Sequence, residues 1–236
     1  MAAVPTLELE RRAQEVRVLL GQALQHGRLV YSNSLGAEAM VLTDIIGSHL
    51  PGIEMFSIDT GRLPEETYEL LETLQRRYRR VIRVVYPEAA ALERLVARQG
   101  VNGFYMSLEA RLECCRVRKV EPFKRAIAGF AGWITGVRRE QSAARAQAAP
   151  VEWDAAHGLY RISPLLEWSE EHVWQYIRAR KLPYNPLHDR QFPSIGCAPC
   201  TRAVQPGEGR RAGRWWWEQA ESRECGLQPK PLAAGA

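Results

Sequence analysis

Apolar residues recur near helical spacing at Leu7, Leu9, Val16, Leu19, Leu20 and Leu24. This predicts an amphipathic helix over 6–27, closed by Gly27. RLVYS (28–32) has the length of a short strand, Gly36 sits in the turn after it, and AMVLTDIIGSHL (39–50) reads as a helix. Pro51-Gly52 breaks the chain before a second apolar run, IEMFSI (53–58). PEETYELLETLQRRY (64–78) is a helix with Pro in its first turn and acidic residues early, as the helix dipole favours. VIRVVY (81–86) is a third strand and EAAALERLVARQ (88–99) a further helix. A helix running through RVRKVEPFKRAIAGF, with Cys114 and Cys115 near its start, leads to a fourth strand, GWITGV (132–137). LYRISPL (159–165) is a fifth strand, followed by the helix EEHVWQYIRAR (170–180).

Strands alternating with helices predict an α/β chain whose parallel sheet is joined by crossover helices. Two stretches break the pattern. QSAARAQAAP (141–150) is Ala-rich and reads as a frayed helix or a mobile loop. Beyond Asn185 the periodicity stops, Pro, Gly and Arg dominate as far as Arg214, and PKPLAAGA (229–236) reads as a loose tail. No internal repeat is present. The irregular region carries Cys197, Cys200 and Cys225, three of the five cysteines, which marks it for chemistry.

Composition narrows the class. Of 236 residues, 46% are apolar and 25% charged, which excludes a largely disordered chain. No apolar run approaches the roughly 18 residues of a membrane span. The start, MAAVPTLELERRAQEV, turns charged too early for a signal peptide, so a cytoplasmic location is expected. The net charge of +5 is carried almost wholly by Arg, with Lys only at 119, 124, 181 and 230. Arg presents a planar fork to oxyanions. A modest positive balance suits an anionic small substrate or a nucleic acid equally, and a solvated surface slightly rich in Arg equally well.

Several motifs then stand out. Ser32-Asn33-Ser34-Leu35-Gly36-Ala37-Glu38 lies between a strand and a helix, where small residues let backbone N–H groups approach an oxyanion. It lacks the Gly-Lys-Ser/Thr end of a Walker loop and has one Gly where a dinucleotide fingerprint has three, so an ordinary capped turn is the alternative. Asp59-Thr60-Gly61-Arg62 directly follows the second strand, and ligands of open α/β sheets sit at such strand ends. Two such loops from neighbouring strands favour a nucleotide site. Arg138, Arg139 and Arg145, with Glu140 and Gln141, follow the fourth strand and form either an anion clamp or a solvated basic loop.

Five cysteines are an odd number, which argues against a disulfide framework. Cys114-Cys115 and the C-x-x-C of Cys197 and Cys200 make two pairs, and four thiolates from two segments can hold zinc or an iron–sulfur cluster. Adjacent cysteines bite one tetrahedral ion awkwardly, whereas a cubane offers separate iron corners, so the cluster is favoured over zinc. No thioredoxin-type context surrounds the C-x-x-C. Cys225, in Glu224-Cys225-Gly226-Leu227, lies in an Arg-rich stretch that favours the thiolate, and is either a nucleophile or an incidental surface thiol. Arg210-Arg211-Ala212-Gly213-Arg214-Trp215-Trp216-Trp217 interleaves Arg with aromatics, a composition that suits nucleic-acid binding or core packing. Three consecutive Trp cannot all face one way, so at least one is expected at a partner surface or shielding a site.

Taken in order, these segments resemble the assimilatory sulfonucleotide reductases, and more closely their adenylyl-sulfate (APS) branch, over roughly Leu29 to Leu227. Ser32–Glu38 looks like the family's phosphate loop, a modified form of that in ATP pyrophosphatase-type proteins. FSIDTGRLPEETY (56–68) is similar to its Asp-Thr-Gly-Arg segment. ECCRVRKVEPFKRAI (113–127), GCAPCTRAV (196–204) and RAGRWWWE (211–218) resemble the segments that hold a [4Fe–4S] cluster, and ECGL (224–227) resembles the terminal motif with the catalytic cysteine. Two positions depart: Gln228 stands where the family usually has His, and Ala39 where an acidic residue is common. Gln cannot become cationic, so no thiolate activation is expected from position 228.

The resemblance implies a Rossmann-like, adenine nucleotide α-hydrolase-like fold: a twisted parallel-type sheet with helices on both faces and an irregular C-terminal segment. It places the α/β and iron–sulfur segments in 1–217 and a mobile tail in 218–236. It implies thioredoxin- or glutaredoxin-dependent reduction of APS to sulfite and AMP in sulfate assimilation, through an S-sulfocysteine at Cys225. The reductases of 3'-phospho-APS (PAPS) keep the terminal cysteine but lack the CC…CxxC set; all four are here, so APS is implied over PAPS or dual use. Lys119 is implied as a catalytic cation. Ser32, Ser34, Gly36, Ala37, Glu38, Asp59, Thr60, Gly61, Arg62, Arg138, Arg139, Gln141, Arg145, Arg211 and Arg214 are implied at the substrate, and Cys114, Cys115, Cys197 and Cys200 on the cluster. A homo-oligomer binding neither nucleic acid nor membrane is expected. The rival classes are a tRNA-modifying enzyme of the pyrophosphatase-loop type and a zinc-stabilised nucleic-acid binder.

Overall fold

The computed structural model describes residues 6–141 and 147–219. In chain order the main elements are α1 (Thr6–Leu24), β1 (Leu29–Ser32), α2 (Ala37–His49), β2 (Glu54–Ile58), α3 (Glu65–Tyr78), β3 (Ile82–Val85) and α4 (Ala89–Gln99). They continue with α5 (Leu108–Cys115), a π-helical turn (Arg116–Val120), α6 (Glu121–Ile127), β4 (Gly132–Ile134), β5 (Val151–Asp154), β6 (Leu159–Ile162) and α7 (Glu170–Ala179). Each helix and strand expected from periodicity is present, with ends shifted by a few residues.

The six strands form one mostly parallel sheet in the order β3-β2-β1-β4-β6-β5. β1 pairs in parallel with β2 and with β4, and β4 with β6. Central β1 and β4 are buried almost continuously, as strands covered on both faces must be. β6 alternates more, and the edge strand β5 is largely exposed. β5 is the one strand that periodicity missed. It pairs antiparallel with β6, matching Trp153 to Tyr160 and Glu152 to Arg161. Those pairs are an edge-to-face aromatic contact at 5.2 Å and a cross-strand ion pair.

The described residues group into two compact units. The first takes in 6–57, 69–83 and 127–185. Its core joins Leu20, Val30, Tyr31, Leu42, Ile46 and Phe56, all essentially inaccessible. One buried carboxylate ties three of its helices: Asp44 of α2 accepts from Tyr78 Oη of α3 at 2.8 Å and from Tyr176 Oη of α7 at 2.9 Å. Arg180 Nε, at the end of α7, donates to the same carboxylate at 2.6 Å. Below, Arg80 bonds the carbonyls of Ile46 and Ile53, closing the end of α2.

The second unit takes in 58–68, 84–126 and 186–219. Its apolar cluster is Leu95, Phe104, Cys114, Val117, Cys200 and Trp215. Beyond Asn185 the described residues hold only short 3-10 turns at Pro186–Arg190 and Ala198–Cys200 and an isolated antiparallel bridge between Thr201 and Arg214, as the loss of periodicity there implied.

Replacing Asp44 with Ala strips the acceptor from the buried Tyr176 hydroxyl and the half-buried Tyr78 hydroxyl. The expected outcome is a loss of about 2–4 kcal/mol, read as a lower midpoint in chemical denaturation. An unchanged midpoint would show that Asp44 does not hold these helices.

Candidate functional site

In the first unit, the chain between β1 and α2 is held in a defined shape by one side chain. Asn33 is buried; its Oδ1 accepts from Leu35 N at 2.9 Å and its Nδ2 donates to Thr43 Oγ1 at 2.9 Å. This fixes Leu35 at φ 59, a left-handed conformation that costs a non-glycine residue on the order of 1 kcal/mol. Gly36 then starts α2 in an extended conformation, and no side chain caps it. The first N–H groups of α2 are therefore left without a side-chain acceptor, a geometry that suits an anion. Ser32 is half-buried, Ser34 is exposed and Ala37 is buried.

Glu38, in the first turn of α2, would oppose an anion there, but its charge is met. Arg138 Nε donates to Glu38 Oε1 at 2.9 Å and Gln141 Nε2 donates to the same oxygen at 3.0 Å. Arg138 is only 1% exposed and also pairs with Glu140. Arg138 N in turn donates to Gln141 Oε1, which folds residues 138–141 into a tight turn against the start of α2. The close approach needs Gly136, because a Cβ there would press on Glu38 Cβ at 3.0 Å. Arg139 points elsewhere, pairing with Glu167 and bonding the Ala148 carbonyl. Arg145 lies outside the described residues.

In the second unit, Asp59-Thr60-Gly61-Arg62 wraps onto the cysteines. Buried Asp59 accepts from Gly61 N at 2.7 Å and from Tyr68 Oη at 2.9 Å, which closes the turn. Burial and the Asp59 charge push Tyr68 up to about 12, so it stays a donor. Arg62 bonds the Val101 carbonyl and Asn102 Oδ1 and lies over the Phe104 ring, while its own carbonyl accepts from Ala198 N at 2.8 Å.

Three of the four thiols there have a hydrogen-bonding partner, and the fourth feels the charge of Arg214. Thr60 Oγ1 is 3.2 Å from Cys197 Sγ. The Arg118 guanidinium lies against Cys114, and the Arg111 guanidinium against Cys115. Arg214 acts on Cys200. Burial pushes the Cys200 thiol far up, the neighbouring Cys197, Cys115 and Cys114 add to this, and Arg214 opposes it. Burial likewise raises Cys114, against Arg118. All four cysteines are free and none is exposed. Among the described residues no group of three or more His, Cys, Asp or Glu side chains is arranged to hold a single metal ion.

The surrounding cations are locked in place. Arg118 Nη1 donates to the Thr60 carbonyl at 2.7 Å, while its buried Nε has no hydrogen-bond partner among the described residues. Arg214 bonds Ser194 Oγ and the Ile195 carbonyl, and a Cβ on Gly196 would collide with its guanidinium. Trp215 is 3% exposed and meets three guanidinium groups, from Arg214 at 4.6 Å, Arg111 at 4.7 Å and Arg211 at 5.9 Å. Trp216 is exposed and Trp217 half-buried, so the three tryptophans do face different ways. Lys119 is half-buried on the π-helical turn, and its side chain makes no hydrogen bond or ion pair with another described residue. Such turns shift a helix register by one residue and recur where function demands it. Cys225 lies outside the described residues.

The residues expected at the substrate thus divide by unit: Ser32–Glu38, Arg138, Arg139 and Gln141 in the first, Asp59–Arg62, Arg211 and Arg214 in the second with the cysteines. The motifs did not reveal Arg111, Arg118 or Glu218. Spacing held a signal for two of them, since Arg111 and Cys115, and Cys114 and Arg118, stand four residues apart on a helix.

A model of the phosphoadenosine phosphosulfate reductase domain matches residues 28–203, and the chain belongs to that family. An adenosine 5'-phosphosulfate reductase of Allochromatium vinosum is 51% identical over 223 residues, 94% of this chain and 87% of the relative. One of Neisseria meningitidis serogroup B is 50% identical over 198 residues, 84% of this chain and 80% of that one. Among solved structures, the phosphoadenylyl-sulfate reductase of Candida auris in its phosphate complex superposes with a TM-score of 0.68 at 23% identity, covering 86% of this chain and 99% of its own. An FMN adenylyltransferase of Candida glabrata reaches 0.58 at 16% identity, over 99% and 83%. At such identities the two structures show the shared fold. No helix among the described residues is long and apolar enough to cross a membrane.

Changing Glu38 to Gln leaves buried Arg138 short of one carboxylate. The expected result is faster amide hydrogen exchange at Arg138 and Arg139, with little change in α3. Equal exchange in both proteins would mean that Glu38 does not hold the turn.

Proposed function

We propose that this chain is an APS reductase of sulfate assimilation, converting APS to sulfite and AMP with electrons from thioredoxin or a similar dithiol protein. The observation that carries the reading is the thiol quartet of the second unit, in which three sulfurs each have a hydrogen-bonding partner and the fourth lies in the field of Arg214. Burial pushes the Cys114 and Cys200 thiols up, which disfavours the thiolate that a nucleophile needs. The cations beside them suit an anionic sulfur ligand instead. Cys114, Cys115, Cys197 and Cys200 would hold a [4Fe–4S] cluster, and the buried Arg118 Nε is a donor that such a sulfur-rich group would use. When bound, the cluster would join α5 to the 197–200 turn and set the local field. The family resemblance of the Glu224–Leu227 motif makes Cys225 the group that attacks.

The chemistry balances on the chain's own residues and the dithiol. The Cys225 thiolate attacks the sulfur of the sulfate group, the sulfur–oxygen bond to the phosphate breaks, and AMP leaves with the bonding pair. Cys225 then carries an S-sulfonate. A thiolate of thioredoxin attacks Cys225 Sγ and expels sulfite with the sulfur–sulfur pair; the second thioredoxin thiol resolves the mixed disulfide and frees Cys225. Two electrons thereby pass from the dithiol to sulfur.

Attack by an anion on an anion needs fixed positive charge. The uncapped start of α2 offers backbone N–H groups to the nucleotide phosphate. Lys119 supplies a cation not committed to any other described side chain. Arg138 acts at one remove by neutralising Glu38 beside that phosphate.

Two outcomes test the reading. Replacing Cys225 with Ser should abolish both sulfite release and radiolabel transfer from sulfur-labelled APS to protein; sulfite made by the variant would refute it. Lys119→Ala should lower single-turnover labelling about tenfold or more, with APS binding changed far less. An unchanged labelling rate would remove Lys119 from the mechanism.

A further inference from the structure

We propose that Arg111 is a positioning residue for the iron–sulfur group: clamped by Glu218, it keeps a fixed hydrogen bond on the Cys115 sulfur, which aims that sulfur at iron and draws charge from it. The inference rests on the reading that the four cysteines hold a [4Fe–4S] cluster. Arg111 and Cys115 stand four residues apart on α5, so their side chains share one helix face. Arg111 is 1% exposed, and the Glu218 side chain is 7% exposed. Arg111 Nε donates to Glu218 Oε1 and Nη2 donates to Oε2, both at 2.7 Å, a two-point grip that fixes the plane of the guanidinium. The guanidinium also lies over the buried Trp215 ring at 4.7 Å. The Cys115 sulfur accepts a hydrogen bond from the guanidinium held in this way.

A buried ion pair contributes little stability beyond an apolar pair of the same size, so its worth lies in the single arrangement it imposes. Here that arrangement reaches both cysteine pairs. Trp215 N donates to the Cys200 carbonyl at 3.1 Å, and Glu218 N donates to the Trp215 carbonyl at 2.8 Å. The donor on Cys115 is therefore gripped by the same backbone that bonds the C-x-x-C turn. The other arginines near the end of α5, Arg98 and Arg116, pair with Glu113 on the surface and are half or more exposed. Arg111 is the buried member of the group, and Glu218 supplies the counter-charge that a buried guanidinium requires. Hydrogen bonds to the sulfurs of an iron–sulfur cluster set its electronic state, and partners behind a metal ligand set how firmly the metal is kept. Arg111 is placed to do both at Cys115.

Iron-loaded protein purified without oxygen tests this. Arg111→Met keeps the length of the side chain and removes the donor. The iron–cysteine stretching band in resonance Raman is expected to move to higher frequency, because a sulfur without its hydrogen bond gives more charge to iron. Iron is expected to pass to excess EDTA about tenfold faster, the usual scale for losing a partner behind a metal ligand. Arg111→Lys keeps the charge without the fork, and is expected to fall between wild type and Arg111→Met in both readings. Should Arg111→Met not fold with Glu218 left unpaired, the double variant Arg111→Met/Glu218→Leu removes both charges together and carries the same expectation. A side chain that only held the fold would speed iron loss without moving the band, so an unmoved band in the loaded variant would overturn the proposal. Iron release at the wild-type rate would overturn it as well. A wild type that shows no iron–sulfur band would overturn the cluster reading and this proposal with it, whereas a wild type with the band confines any failure to Arg111.

Discussion

Sulfur atoms drawn together in an apolar pocket raise one another's cost of ionising, and the second unit is organised around meeting that cost. Cys200 shows it most plainly, since burial and its three fellow cysteines all push its thiol up. Arg118, Arg111, Thr60 and Arg214 each stand beside one sulfur. These groups are fixed by other contacts: Arg118 by the Thr60 carbonyl, Arg111 by Glu218, Arg214 by Ser194 Oγ and the Ile195 carbonyl. The Asp59–Arg62 turn, α5 and the irregular segment are therefore one construction, and the turn after β2 belongs to the sulfur pocket as much as to a nucleotide loop.

The first unit handles charge in the opposite sense. There the start of α2 is left open, and the acidic residue that would spoil it is neutralised by buried Arg138. The excess of Arg in the composition thus acquires a meaning that net charge alone lacks. Arg111, Arg118, Arg138 and Arg214 are buried, and they hold carboxylates, carbonyls and sulfurs inside the protein. Lys119, with no such side-chain engagement among the described residues, differs in kind.

Much of the fold was legible because β1, β2 and β4 are apolar runs between amphipathic helices, and periodicity reads such patterns directly. β5 escaped because VEWD has two acidic residues in four and gains its order from Arg161 and Tyr160 across the hairpin. The cysteine motifs were legible as motifs. Their partners were only half so: the four-residue spacings of Arg111 to Cys115 and of Cys114 to Arg118 lay open to view, whereas Glu218 is 107 residues from Arg111. The interleaving of two units from three segments each is likewise a property of distant contacts that no local pattern encodes.

The central claim is that four cysteines bind iron while Cys225 alone carries the sulfonate. The most direct measurement is the iron and acid-labile sulfide content of protein purified without oxygen, beside its sulfite-forming rate. The account predicts four irons and four sulfides per chain, as a [4Fe–4S] cluster requires, and their loss in Cys200→Ser. A fully active protein free of iron, or one holding a single zinc, would contradict it.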